Sequence, residues 1–145
     1  MEQAWYEKKP LRFQLEIELI RRHHPDAVVF ICRKTGRLMV LKKVQGRRGS
    51  YLAKVVFSQD HPLQPPESFS VEPEIRGTRH SLPEESNRLC LFPPELATPS
   101  LTGKTILDLT CDWFRCYEMW LDTGDWPPNN TSVRGIAADG RVPDR

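Results

Sequence analysis

Residues 87–92 read NRLCLF, which sets Cys90 in a short apolar run of Leu89, Leu91 and Phe92 directly after a polar turn. A proline-rich approach, HPLQPP at 61–66, comes before it, and the one long helical pattern of the chain comes after it. A thiol presented between two such segments can serve as a nucleophile at the edge of a packed body. The competing reading of Cys90 is a small buried hydrophobe, the commonest fate of a free cysteine.

Upstream of this stretch the pattern predicts one helix and then an antiparallel meander. Leu, Arg, Gln and Glu dominate 11–22 and favour helix. Leu11, Leu15 and Leu19 form one i, i+4 stripe, and Phe13, Ile17 and Ile20 form a second. Near-alternation makes a strand the competing reading. The cations Arg21, Arg22 and His23 suit a helix C-terminus and decide for helix, with Pro10 in the first turn and Pro25 as the stop. Residues 1–9 read as a lead-in. Residues 27–33 (AVVFICR), 38–44 (LMVLKKV) and 50–57 (SYLAKVVF) are apolar, β-branched runs separated by glycine-bearing turns. Residues 68–71 (SFSV) predict a fourth, short edge strand after the proline loop, and 73–87 read as polar and irregular.

Downstream, Thr102 is placed to cap a helix, with Thr105 at its third position. Ile106, Leu109, Trp113, Tyr117 and Trp120 recur at helical spacing, Phe114 and Leu121 widen the stripe, and these side chains read as core. Cys111 falls on the polar flank and Cys116 between faces, both as bystanders. Gly124 predicts the C-cap and Pro127-Pro128 the stop. Residues 1–128 then form one domain. The stretch 129–145 has little apolar content and reads as a flexible tail.

The 145 residues fit one domain with a sizeable core. A net charge of +2 does not argue for nucleic acid. The basic stretch Lys42, Lys43, Arg47 and Arg48 reads as a solvated hairpin; the sharper reading is a docking surface for an acidic partner. No apolar run reaches membrane-spanning length and the start lacks a signal-peptide core, so a cytoplasmic protein is expected. None of the four cysteines forms a C-x-x-C pair or a zinc-spaced cluster, and neither a metal nor a cofactor is expected.

Helix, meander, proline loop, cysteine and helix come in the order of the ubiquitin-conjugating enzyme fold, an α/β (α+β) architecture. HPLQPPESFSV resembles that family's Y-P-x-x-P-P segment and the strand after it. His80 lies ten residues before Cys90, where the family's His-Pro-Asn histidine precedes its catalytic cysteine. LCLF resembles the family's I-C-L run, and ATPSLTGKTILDL its W-S-P-x-L-T lead into the following helix. The segment WFRCYEMWLDTGDWP is similar to a signature of the bacterial branch found in anti-phage defence operons, including those of CBASS. The resemblance covers roughly residues 10–126. Ser81 and Leu82 stand at the Pro and Asn of the His-Pro-Asn motif, and Ala97 replaces the tryptophan. The C-terminal helices of the eukaryotic members are expected to be missing.

The resemblance implies an acyltransferase in which Cys90 forms a thioester with the C-terminus of a protein partner, in CBASS a cyclic-oligonucleotide synthase, and passes it to an amine. A thiol suits this role because it is nucleophilic near neutral pH and leaves readily. His80 is a candidate to hold the oxyanion or to organise the loop, and Asn87 is a second candidate, against a plain turn asparagine. Glu84, Glu85 and Glu95 flank the site as solvated carboxylates. No nucleotide-binding glycine loop is present, so activation is expected from a separate enzyme or an already activated substrate. The alternative is a catalytically inactive module of the same fold that binds and regulates a partner. A third reading, a thiol hydrolase, needs His61 or His80 folded close to the cysteine as its base.

Overall fold

Side chains on a strand alternate between faces, and the central strands of the protein hold this alternation along most of their length. The computed structural model describes residues 3–75, 81–82 and 87–127. Strands β1 (Val28–Ile31), β2 (Leu38–Gln45), β3 (Ser50–Val56) and β4 (Glu67–Glu72) form one antiparallel sheet in that order. It is the expected meander, with strand ends shifted by a residue or two. Leu38, Val40 and Val44 of β2 and Tyr51, Ala53 and Val55 of β3 point to one face and are buried. The register runs without a break from Met39↔Val56 to Gln45↔Ser50.

Two helices share this core. Helix α2 (Pro10–His23) begins at the predicted proline, and α3 (Gly103–Thr123) starts after Thr102, whose hydroxyl accepts from the Thr105 N–H. Gly124 closes α3 with a φ of 81°, the left-handed region open to glycine, and its N–H donates to the Trp120 carbonyl. Ile106, Leu109, Trp113 and Phe114 pack with the buried sheet residues, and the Phe114 ring stacks on Tyr51 at 4.5 Å. The result is the α+β order that the resemblance implies.

Several expectations change. Within 1–9 lies a one-turn helix, α1 (Trp5–Lys8), whose Trp5 is buried and stacks on Phe57 at 5.6 Å. On α2 the buried face carries Glu16 and Ile20, with Phe13 packed against the core, while Leu11 is 80% exposed and Leu15 also stands in solvent. Of the two stripes read on α2, the one with Phe13 and Ile20 therefore faces the core, and Leu11 and Leu15 of the other face outward. Leu121 lies at the exposed end of α3, whereas Cys116, expected between faces, is fully buried. A different face of α3 is covered by the β2–β3 turn: the Arg47 and Arg48 N–H groups and the Tyr51 hydroxyl all donate to Glu118. Within 73–87, read as irregular, lies strand β5 (Ser81–Leu82), which forms a small hairpin with β6 (Arg88–Leu89) just beyond. The expected tail, 129–145, lies outside the described residues.

Candidate functional site

Cys90 directly follows β6, and β6 lies against β4, the edge strand opposite β1. Alternation sets its environment. Leu89 and Leu91 on either side are buried at 1% and 4% exposure, and Cys90 between them is half-buried. The two leucines anchor the main chain to the core while the intervening thiol stays at the border of solvent. Cys90 is therefore not a core cysteine; it shares its half-buried state with Cys32 and Cys111.

Asn87 begins the run with a φ of 63°, the only positive value at a non-glycine among the described residues. Asparagine is among the few residues that adopt this conformation readily. Its N–H donates to the Leu82 carbonyl at 3.0 Å, which closes the β5–β6 hairpin, and its side-chain amide reaches Glu74 at 3.4 Å. Ser81 pairs with Leu89 and Leu82 with Arg88, so the residues that replace Pro and Asn of the family motif are strand residues beside the cysteine run. A groove of about 430 Å³ adjoins Asn87, with Lys54, Glu67, Phe69 and Glu74 among its walls. His80, Glu84 and Glu85 lie outside the described residues. Glu95 is exposed on a short 3-10 turn, Pro94–Leu96.

The chain after Cys90 is held from α2 by a buried carboxylate that the sequence reading did not single out. The Nε2–H of His61 donates to Glu16 at 2.7 Å, the Arg12 Nε–H donates to it at 3.1 Å, and the Gly103 N–H donates to its other oxygen at 2.8 Å. Arg12 also donates to the carbonyls of Pro99 and Leu101. Glu16 and His61 have no exposed surface. The approach before β4 and the start of α3 thus converge on Glu16, and Arg12, paired with Glu16, ties the segment after the cysteine to the same turn of α2. Gly103 permits the close approach: a Cβ there would stand 2.5 Å from the Phe57 ring. His61, considered above as a catalytic base, is committed to Glu16 and enclosed by Trp5 and Phe57.

In the basic stretch Lys42 pairs with Asp26, and the exposed Arg47 and Arg48 both pair with Asp122, while Lys43 is exposed. Burial, and then the hydrogen bond to Glu118, push the Tyr51 phenol up to about 12. Burial alone would raise the Asp108 carboxyl, but hydrogen bonds from His24 and Lys104 outweigh it and hold the pKa below the ordinary carboxylate value. At the β1–β2 turn, hydrogen bonds from the Thr35 hydroxyl and then its N–H lower the Cys32 thiol. Among the described residues no three His, Cys, Asp or Glu side chains gather as a metal site, and no helix is long and apolar enough to cross a membrane.

A family model described as type II CBASS E2 protein matches residues 16–133, most of the chain. Glu16, the buried anchor of α2, is the first residue matched, and the span includes Asn87, Cys90 and all of α3. Comparison with curated proteins and with solved structures returned no match.

Proposed function

The chain belongs to the type II CBASS E2 family of anti-phage defence, and on that premise we propose that it is a cysteine-dependent protein-conjugating enzyme with Cys90 as its nucleophile. The observation that carries the proposal is the placement of Cys90: a half-buried thiol between two buried leucines, at the end of a hairpin on the sheet edge. The thiolate attacks the activated C-terminal carbonyl of a protein partner. A C–S bond forms, the activating group leaves with its electron pair, and the product is a thioester. An amine then attacks that carbonyl and loses its proton. The Cys90 sulfur departs and an amide bond remains. The partner is a cyclic-oligonucleotide synthase of the same operon, activated by a separate enzyme or delivered already activated. The groove at Asn87 suits an extended C-terminal segment. Asn87 stands three residues before the nucleophile, where its amide or the main-chain N–H groups near Cys90 can meet the developing oxyanion.

One observation favours the alternative of a binding module without catalysis: Ser81 and Leu82 occupy the place of Pro and Asn, so the family's usual asparagine is missing there. Intact-mass analysis of the protein purified with its operon partners separates the two readings. The enzyme gives an adduct of the partner's mass that hydroxylamine and thiol reductant release, the Cys90→Ser variant gives a reductant-resistant ester, and Cys90→Ala gives none. Equal partner binding by wild type and Cys90→Ala, with no adduct when an activating enzyme and ATP are supplied, supports the binding module.

A further inference from the structure

The edge strand β1 has no device that keeps other strands away. Its sequence is VVFI, with no charge, proline or bulge, and Val28, Phe30 and Ile31 are 57%, 36% and 48% exposed. Soluble proteins usually blunt or cover such an edge. Val29 and Ile31 share the helix-facing side of the sheet with their partners Val40 and Leu38, while Val28 and Phe30 face outward. Alongside runs an open groove of about 760 Å³ between β1 and α2, whose walls include Phe13, Ile17, Glu18, Arg21, Val29 and Ile31.

Main-chain geometry fixes how a strand would dock there. The Cys32 N–H donates to the Arg37 carbonyl at 2.9 Å, across the β1–β2 hairpin. In an antiparallel ladder the main-chain groups of successive residues alternate in direction. Residues 28 and 30 therefore also face β2, and Val29 and Ile31 present their N–H and C=O groups to the open edge. Charge then selects the occupant. Asp26, which also pairs with Lys42, precedes the strand and Arg33 and Lys34 follow it, all exposed, so antiparallel pairing of the strand with its own copy brings opposite charges together at both ends.

We propose that β1 is a self-association edge: two copies of the chain pair antiparallel through β1 about a two-fold axis at Phe30. This register puts Val29 opposite Ile31 of the second copy, Val28 opposite Cys32, and Asp26 opposite Lys34. It uses the outward main-chain groups of Val29 and Ile31 as the hydrogen-bonded pairs. The added Val29 and Ile31 side chains enter the groove beneath α2, and the two Phe30 rings meet on the outer face. The interface is isologous and closes at two copies. Cys90 lies beyond β4, at the opposite edge of the sheet, and stays accessible. The proposal does not depend on the chemistry of Cys90.

Light scattering on the purified full chain tests the association, and the expected result is twice the 16.8 kDa monomer mass, reverting to the monomer on Ile31→Lys. Register is tested by Val28→Cys under oxidised glutathione. Non-hydrogen-bonded antiparallel pairs stand about 4.5 Å apart at Cα, within disulfide range. A cross-linked dimer with native Cys32 should form and should disappear in Val28→Cys/Cys32→Ser. Two charge variants guard against misfolding. Asp26→Lys alone and Arg33→Glu/Lys34→Glu alone should each be monomeric, and an equimolar mixture of the two should recover the dimer mass. A wild-type monomer at every concentration reached would overturn the proposal and leave the groove to a different chain. So would a dimer that survives Ile31→Lys without cross-linking, or a mixture that stays monomeric.

Discussion

Replacing Glu16 with alanine removes the single acceptor shared by α2, the proline approach and the start of α3. Three donors lose it: the His61 Nε2–H at 2.7 Å, the Gly103 N–H at 2.8 Å and the Arg12 Nε–H at 3.1 Å. The first two are buried, and a buried donor left without an acceptor costs about 1–3 kcal/mol. Arg12 retains water and the carbonyls of Pro99 and Leu101, so its loss adds less. The sum agrees with the loss of about 3–5 kcal/mol typical when one member of a buried ion pair is deleted. At roughly 3 °C per kcal/mol for a chain of this size, Tm should fall by about 10–15 °C. Glu16→Gln keeps an oxygen for Gly103 and should lose about half as much. Urea unfolding followed by tryptophan fluorescence measures both variants, since the Trp5 ring lies 4.5 Å from His61. A Glu16→Ala protein within about 1 kcal/mol of wild type would refute the reasoning, because losing even one buried donor's acceptor should exceed that.

The Tyr51 phenol, raised to about 12, keeps its proton in the folded state after the unfolded chain has lost it near 10. Stability should therefore fall as pH rises between those values, and a Tyr51→Phe variant in urea titrations should lack that slope. Asp108 behaves in the opposite sense: its pKa is depressed, so its contribution is present at neutral pH and is lost as pH falls below the ordinary carboxylate value. The stability gap between wild type and Asp108→Asn should close under acid. Thr102→Ala removes the cap of α3 and should cost about 1 kcal/mol in the same assay. Asn87→Gly keeps the left-handed φ and deletes only the amide. An unchanged Tm with slower thioester formation would assign the amide to the oxyanion, whereas an unchanged rate would assign Asn87 to the turn alone.

The elements legible in the sequence are those whose signal is local. β2 and β3 alternate, α2 and α3 carry helix formers or helical spacing, and the Thr102 and Gly124 caps announce their own geometry. The burial of Glu16 is not legible because two of its three partners lie 45 and 87 residues away and only Arg12, one turn earlier, is local. Only its position one turn before Ile20, on the face that turned out to be buried, hinted at burial. The two stripes read on α2 left the face open: hydrophobicity nominates faces, but packing chooses between them, and here a carboxylate with three donors lies with Ile20 on the inner one while Leu11 and Leu15 face solvent. Trp5 escaped notice because one turn of helix has no periodicity to read.

The same division runs through the candidate site. Cys90 stands out in sequence because its apolar neighbours on both sides demand burial while it sits between them, and strand alternation then turns it away from them. The supports of the site are tertiary and silent in the string. Leu82 receives the Asn87 N–H across the hairpin, and Arg12 takes the carbonyls of Pro99 and Leu101 from another helix. These contacts fix the chain on both sides of the thiol, so the cysteine rides on a segment pinned at its two ends. On the proposed reading of Cys90 as nucleophile, a thiol held in this way loses little further freedom when a carbonyl is brought to it, which is where positioning lowers a barrier. Loosening the downstream pin with Arg12→Ala should therefore slow thioester formation while leaving the Cys90 thiol as accessible as before, as measured by its rate of alkylation. Equal slowing of alkylation and of thioester formation would mean that Arg12 acts on the thiol itself and not on the segment that carries it.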